Sequence, residues 1–279
     1  MALRIITLSE NTAGMPGVIA EWGLSVLVEC GDVRVLFDTG ATASVPHNVR
    51  MFGLDLSTID KIVLSHGHYD HTGGLKGVLQ QVGKKVDVIA DDDVFDDKWI
   101  CVGDYRRYIG VPFTREELEA EGASFVFSRS PAWITDEIVA TGEVPMVTGY
   151  EAIEPSMRLK RGDDFAPDPF NDDQGLVVKT ELGLVVILGC AHRGAINTIK
   201  HAQKITGVEQ VHTVIGGTHL LGASEERILL TAAALQEMGV RRVGVSHCTG
   251  LNSSVLLAQQ LGETFFFNNT GTVITIPQV

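Results

Sequence analysis

The run KIVLSHGHYDHTGG, residues 61–74, places the tightest limit on what this chain can fold into. His66, His68, Asp70 and His71 fall within six positions, directly behind an apolar strand signal. Imidazole and carboxylate groups cost free energy to bury unless they are paired or hold a cation. A strand that ends in a tight loop turns alternate side chains to one side, so His66 and His68 can grip one cation. Asp70 and His71 then point to a neighbouring position. Neutral imidazole and carboxylate are the donors a borderline divalent ion takes, at about 2.0–2.2 Å.

One such cluster cannot complete two coordination spheres, and the sequence offers more ligands at later strand ends. GLVVILGCAH ends in His192, VHTVIGGTH in His219 and RRVGVSH in His247. Strand ends are where α/β architectures place their chemistry. The first third reads as short strands (LRIITL, LSVLVEC, VRVLFD, KIVLSH), with Gly31–Asp32 as a tight hairpin turn. The last third alternates strands with helices, the helices beginning near Arg193, across ASEERILLTAAALQEMG and across SSVLLAQQLG. The pattern predicts an α/β fold: a four-layer αββα sandwich of two mixed β-sheets, one domain over 1–279. Residues 92–172 are rich in acidic residues and proline and weakly periodic, which predicts an inserted subdomain serving as lid or wall. Within it FTREELEAEG predicts a short helix, with Thr114 and Glu117 spaced as a capping box.

Charge narrows the partners. Against 35 acidic residues stand 22 basic ones, a net charge of −13, which repels nucleic-acid backbones and anionic membranes. A small anionic substrate is still admissible where metal ions or helix N-termini face it. AHRGAIN offers Arg193 and SHCTGLNSS offers Thr249 and Gly250 for that task, with plain helix capping as the alternative. Arg106 and Arg107 are further cations that could close over an anion or simply be solvated. The cysteines Cys30, Cys101, Cys190 and Cys248 form no CxxC pair, and no signal peptide or bilayer-length apolar run is visible. A cytoplasmic protein without disulfides is expected. Cys190, two residues before His192, is a soft-ligand candidate, with a small core residue at a strand end as the preferred account, and Cys248 reads as facing away from His247. His47, His201 and His212 have no spacing that demands a ligand role. Asp38 in LFDTG suits an acceptor that orients a ligand histidine, or a turn aspartate.

SHGHYDH, with VLFDTG upstream, resembles the HxHxDH signature of the metallo-β-lactamase superfamily. ENTAG, GLSVLVE, YIGVPFT, DDQGLVV, GCAHRGAIN, GGTHL and SHCTG together resemble one branch of it. That branch is labelled 7,8-dihydropterin-6-methyl-4-(β-D-ribofuranosyl)aminobenzene-5′-phosphate synthase-like, or metal-dependent hydrolase of β-lactamase superfamily II. The resemblance implies His66, His68 and His192 on a first metal, and Asp70, His71 and His247 on a second. Much of the superfamily bridges the ions with an aspartate at the next strand end. IGGTHL carries no carboxylate there, leaving His219 or a hydroxide alone as the bridge. The expected activity is a dinuclear hydrolase attacking a small anionic ester, lactone or phosphoester through a metal-bound hydroxide, with Asp70 holding the hydroxide in line. Zinc is the default ion, with manganese or iron as alternatives. The branch label implies a rival: a transferase joining a pterin diphosphate to a ribofuranosylaminobenzene phosphate with release of pyrophosphate. A di-iron redox protein is disfavoured because such relatives place glutamate where His68 stands, and no nucleotide-binding loop is visible. A non-catalytic metal-binding module is the remaining alternative.

Overall fold

The computed structural model describes residues 3–277. The chain begins with β1 (Leu3–Ser9), β2 (Ser25–Cys30), β3 (Val33–Phe37), α1 (Ser44–Met51), β4 (Lys61–Val63), α2 (Tyr69–Thr72), α3 (Leu75–Val82) and β5 (Val86–Ala90). Cys30 lies opposite Val33, so Gly31 and Asp32 make the expected two-residue turn, and Gly31 takes the positive φ of 60° that this turn favours. From β3 onward the connections are crossovers, and β3, β4 and β5 run parallel. The middle third contributes β6 (Lys98–Val102), β7 (Tyr105–Tyr108), α4 (Arg115–Ala120), β8 (Ala123–Phe127), β9 (Ala132–Trp133), β10 (Ile138–Ala140), β11 (Met157–Arg161) and β12 (Asp164–Pro167). The last third contributes β13 (Leu176–Thr180), β14 (Gly183–Leu188), α5 (Ala195–Thr206), β15 (Val211–Gly216), α6 (Glu225–Glu237), β16 (Arg242–Val245), α7 (Leu251–Leu261), β17 (Phe265–Phe267) and β18 (Val273–Ile276).

Two seven-stranded sheets result, in the orders β18-β1-β2-β3-β4-β5-β8 and β17-β16-β15-β14-β13-β10-β9. Both are mixed, because each joins an antiparallel half to a parallel one. Strand pleating sends alternate side chains to opposite faces, and β14 shows it. Val185 and Ile187 meet Val26, Val35 and Phe37 of the other sheet. Leu184, Val186 and Leu188 join Ile196 and Ile199 of α5, Leu235 of α6 and Leu257 of α7. The outer face of the first sheet packs Leu36 and Ile62 on Val49, Val78 and Leu79 of α1 and α3. Helices therefore cover both outer faces, and the αββα sandwich is as expected.

The stretch 92–172 divides, where the sequence reading took it as one insertion. β8 is the parallel edge strand of the first sheet, beside β5, and β9 and β10 extend the second. Leu118 of α4 sits in the core beneath β5 and β8, and α4 carries the expected Thr114–Glu117 capping box. Only β6, β7, β11 and β12 stand apart, as a four-stranded antiparallel sheet in the order β12-β11-β6-β7. Four of the acidic residues in or beside the 92–172 stretch, Asp91, Asp168, Asp172 and Asp173, are each at most 3% exposed, while Asp92, Asp97, Asp163 and Asp164 are exposed. Among the described residues, no helix is long and apolar enough to cross a membrane.

Candidate metal centre

Four strand ends converge at one edge of the sandwich. β4 runs out through Leu64 and Ser65 into His66, and His68 caps α2, whose first turn holds Asp70 and His71. β14 leads to His192, β15 to His219 and β16 to His247. The loop between His66 and His68 passes close under the backbone at Val94. A Cβ at Gly67 would lie 1.9 Å from the Val94 carbonyl oxygen, so only glycine fits. Five non-glycine residues with positive φ, namely Asp38, Phe170, Ala191, His219 and His247, all sit in or beside these loops. Strained backbone of this kind persists where the surroundings over-determine it, as functional sites do.

Ring nitrogens show what the cluster is built for. His71 Nδ1 faces Asp38 Oδ2 at 2.6 Å, and His247 Nδ1 faces Asn11 Oδ1 at 3.0 Å. Both acceptors hold a proton on Nδ1, and the Nε2 atoms of His71 and His247 face each other at 3.2 Å. Ser65 donates its hydroxyl proton to Asp38 and so accepts from His66 Nδ1 at 2.9 Å. His66 Nε2 then faces His192 Nε2 at 3.2 Å, while His68 Nε2 is buried with no partner. Ring nitrogens opposed this closely call for a proton or a cation between them. Burial drives His66, His68 and His192 towards the neutral form that binds metals. Burial works against the Asp70 charge too, but the hydrogen bond from His247 and the nearby imidazoles hold its pKa below the ordinary carboxylate value. Ligand-type atoms of His66, His68 and His192 lie within 4.8 Å of one another, as do those of Asp70, His71 and His247. The donor set fits divalent metal ions.

His219 joins the cluster. Its ring lies 4.1 Å from that of His192, its Nδ1 is buried without a partner, and it groups with His192 and Cys190. Asp38 takes the orienting role, accepting from Ser65 N, Ser65 Oγ and His71. His47, His201 and His212 bond to the Gly17 carbonyl, the Thr141 carbonyl and the Thr213 hydroxyl.

The structure places the anion-binding candidates away from the histidine floor. Arg193 points its guanidinium at Glu143, 2.5 Å away, and the free N–H groups opening α5 are filled by the Glu151 carboxylate, which accepts from Ile196 N and Asn197 N. Thr249 is buried and receives hydrogen bonds from Thr218 N and Oγ1. Neither Thr249 nor Gly250 lines the cleft above the histidines. At α5 the helix-start donors are thus satisfied from within the chain.

The sequence reading missed two groups. Cys248, read as facing away, and Cys190, read as core in preference to a soft ligand, both fall among the ligand atoms with His247; the signal was a cysteine within two residues of a strand-end histidine, in GCAH and SHCTG. The second group is the scaffold beneath. Asp172 accepts from Gly67 N at 2.8 Å, Asp173 from Arg193 N at 2.8 Å, and Gln174 donates to the Leu64 carbonyl at 2.9 Å. Lys98, 1% exposed, pairs with Asp168 at 3.1 Å and Asp172 at 3.0 Å.

Above the ligands opens a cleft of about 730 Å³. Its floor is His68, Asp70, His192, His219 and His247, and its walls include Trp22, Ile100, Arg107, Ile109 and Met157. Arg107, on β7, lies over the Tyr69 ring at 5.1 Å.

Such a sandwich, with a buried His/Asp cluster where the strand ends of its two sheets meet, defines a metal-dependent enzyme fold. Residues 23–195 match the model of the metallo-beta-lactamase superfamily, and the chain belongs to that superfamily. It is 31% identical over 288 residues to the 7,8-dihydropterin-6-methyl-4-(beta-D-ribofuranosyl)-aminobenzene-5'-phosphate synthase of Methanocaldococcus jannaschii, covering 98% of this chain and 96% of the synthase. An uncharacterized protein of the same organism is 33% identical over 272 residues, 96% of this chain and 98% of that one. The crystal structure of Tm1679, a metal-dependent hydrolase of the beta-lactamase superfamily, superposes with a TM-score of 0.85 at 30% identity, covering 98% of this chain and 99% of Tm1679.

Proposed function

We propose that the protein is a dinuclear metal-dependent hydrolase acting on a small anionic ester, lactone or phosphoester. The observation that carries this reading is the pair of opposed Nε2 atoms, His66 to His192 and His71 to His247, each 3.2 Å apart at the floor of an open cleft. His66, His68 and His192 would hold one ion, and Asp70, His71 and His247 the other, with His219 beside His192. Two divalent ions, zinc by default, would supply Lewis acidity and lower the pKa of a water they bind.

The chain's own groups do the remainder. Asp38 keeps the His71 tautomer in place, and Asn11 does the same for His247. Asp70, ionised and 3.3 Å from His247 Nε2, is placed to accept a proton as a nucleophile forms. Arg107 supplies a fixed positive charge at the rim, suited to a carboxylate or phosphate. Trp22, whose ring lies 5.2 Å from that of His247, faces an apolar wall of Ile100, Ile109 and Met157. These walls suit a flat or apolar body.

A second reading, the pterin transferase, is favoured by likeness to the Methanocaldococcus jannaschii synthase over nearly the whole of both chains. One experiment separates them. Purified, metal-supplemented protein is offered phosphodiesters, lactones and thioesters, and separately a pterin diphosphate with the ribofuranosylaminobenzene phosphate. Hydrolysis within the first panel supports the hydrolase. Pyrophosphate release that strictly requires the arylamine, with no hydrolysis elsewhere, would replace it with the transferase.

A further inference from the structure

Among the atoms at the floor of the cleft, one belongs to neither histidine set yet touches both. Cys190 follows β14 by two residues and is 3% exposed. Its Sγ lies 3.1 Å from His71 Nε2. It falls within 4.8 Å of ligand atoms of His66 and His71 together, of His192 and His219 together, and of His247 and Cys248 together. His66 and His192 belong to one facing pair, and His71 and His247 to the other. The sulfur is therefore central to the cluster.

The neighbouring strand end cannot supply a ligand from the equivalent place. Residues 216–219 read GGTH, with no carboxylate. A Cβ at Gly217 would stand 2.4 Å from the Gly189 carbonyl oxygen and 2.6 Å from Cys248 Sγ. The end of β15 is held against the backbone that carries Cys190, and sulfur fills the space a longer side chain would need. His219 reaches the floor only by taking a positive φ of 48°, and its backbone N–H donates to Cys248 Sγ at 3.3 Å. Cys248 Sγ already accepts from a backbone N–H and groups with His247 and Cys190, whereas Cys190 lies among ligand atoms of both histidine sets.

We propose that Cys190 binds metal as a thiolate shared between the two histidine sets, so that the centre is a sulfur-containing one. The inference rests on the metal centre of the preceding reading. On binding, the thiol proton is released to solvent, one sulfur–metal bond forms to each ion, and no oxidation or reduction takes place. A thiolate held between two cations lowers the positive charge of the centre by one unit. It also selects softer ions such as zinc or cobalt over magnesium or calcium.

The test is cobalt substitution of the full chain, read by absorption and by metal content. The expected result is bound cobalt with an intense near-ultraviolet sulfur-to-cobalt charge-transfer band. Cys190→Ser should lose that band and bind cobalt roughly 10-fold or more weakly, while Cys248→Ser keeps it. Zinc X-ray absorption on the unaltered protein gives a readout independent of any variant's folding, and a sulfur shell near about 2.3 Å is expected. Cobalt bound without the band, and zinc with only nitrogen and oxygen neighbours, would overturn the assignment of Cys190 and leave the histidine centre standing. A band lost in Cys248→Ser but kept in Cys190→Ser would move the ligand to the other cysteine and also overturn it. Failure to bind either ion would overturn the metal centre itself.

Discussion

The ligand-type side chains of residues 66–71 and the acidic and amide side chains Asp168, Asp172, Asp173 and Gln174 are comparably buried, yet the two runs behave oppositely as sequence. His66, His68, Asp70 and His71 are at most 6% exposed, and so are Asp168, Asp172, Asp173 and Gln174. The first run announces itself because a contiguous loop supplies several ligands at fixed spacing. The second, DPFNDDQ, reads as a solvated acidic loop, because its partners Lys98, Gly67 and Arg193 are remote in sequence. Ligand spacing is local information; the apparatus that aims the ligands is assembled over long range.

That contrast can be broken from either side. The largest effect is expected at the ligands: His68→Ala should abolish turnover and lower metal content while circular dichroism stays close to the parent. Wild-type turnover in that variant would mean the reaction centre lies elsewhere. Next comes the scaffold. Lys98→Met leaves Asp168 and Asp172 buried without their cation, a change that costs ~3–5 kcal/mol. Chemical denaturation should show that loss even in metal-free protein, whereas His68→Ala should not. Equal stability for Lys98→Met and the parent would make the acidic run a passive linker after all.

Between the two regions sits Asp38, which touches the ligand loop but no substrate. Asp38→Asn should weaken metal binding by about 10–100-fold, measured by competition with a chelating dye. The proton balance tests the same contact. Burial alone would lower the His71 pKa, but Asp38 raises it to about 9 from an ordinary 6.5. In metal-free protein this stabilises the fold fully below the ordinary value, and the contribution is lost as pH rises through about 9. Metal must displace that proton, so loading should release protons at neutral pH and affinity should fall as pH is lowered. Calorimetry in buffers of different ionisation enthalpy measures the release. The smallest effect is expected at the rim: Arg107→Ala should raise KM for an anionic substrate severalfold and leave kcat and stability nearly unchanged. A neutral substrate analogue should not notice it.

Much of the architecture was legible because strand and helix periods are local. The β2–β3 turn at Gly31–Asp32, the capping box at Thr114 and Glu117, and the strand-end histidines all follow from neighbours a few residues apart. The misreadings share one cause. β8, β9 and β10 looked like an insertion because their burial comes from pairing with β5 and β13, which no short window contains. Arg193 and Thr249 looked available because Glu143 and Thr218 were not visible as their partners.

The Lys98 pairing has a consequence for how this protein can diversify. Lys98 begins β6, the strand that carries Ile100 to the cleft wall, and through Asp172 it also secures Gly67 between two candidate ligands. The part that selects a substrate and the part that aims the chemistry are thus joined by a single buried charge. A lineage cannot exchange one wall for another by simple grafting, since a transplanted β6 without its lysine would loosen the ligand loop. New specificities should instead arise at Arg107 and Met157, where the wall meets the cleft and no buried charge ties it to the floor.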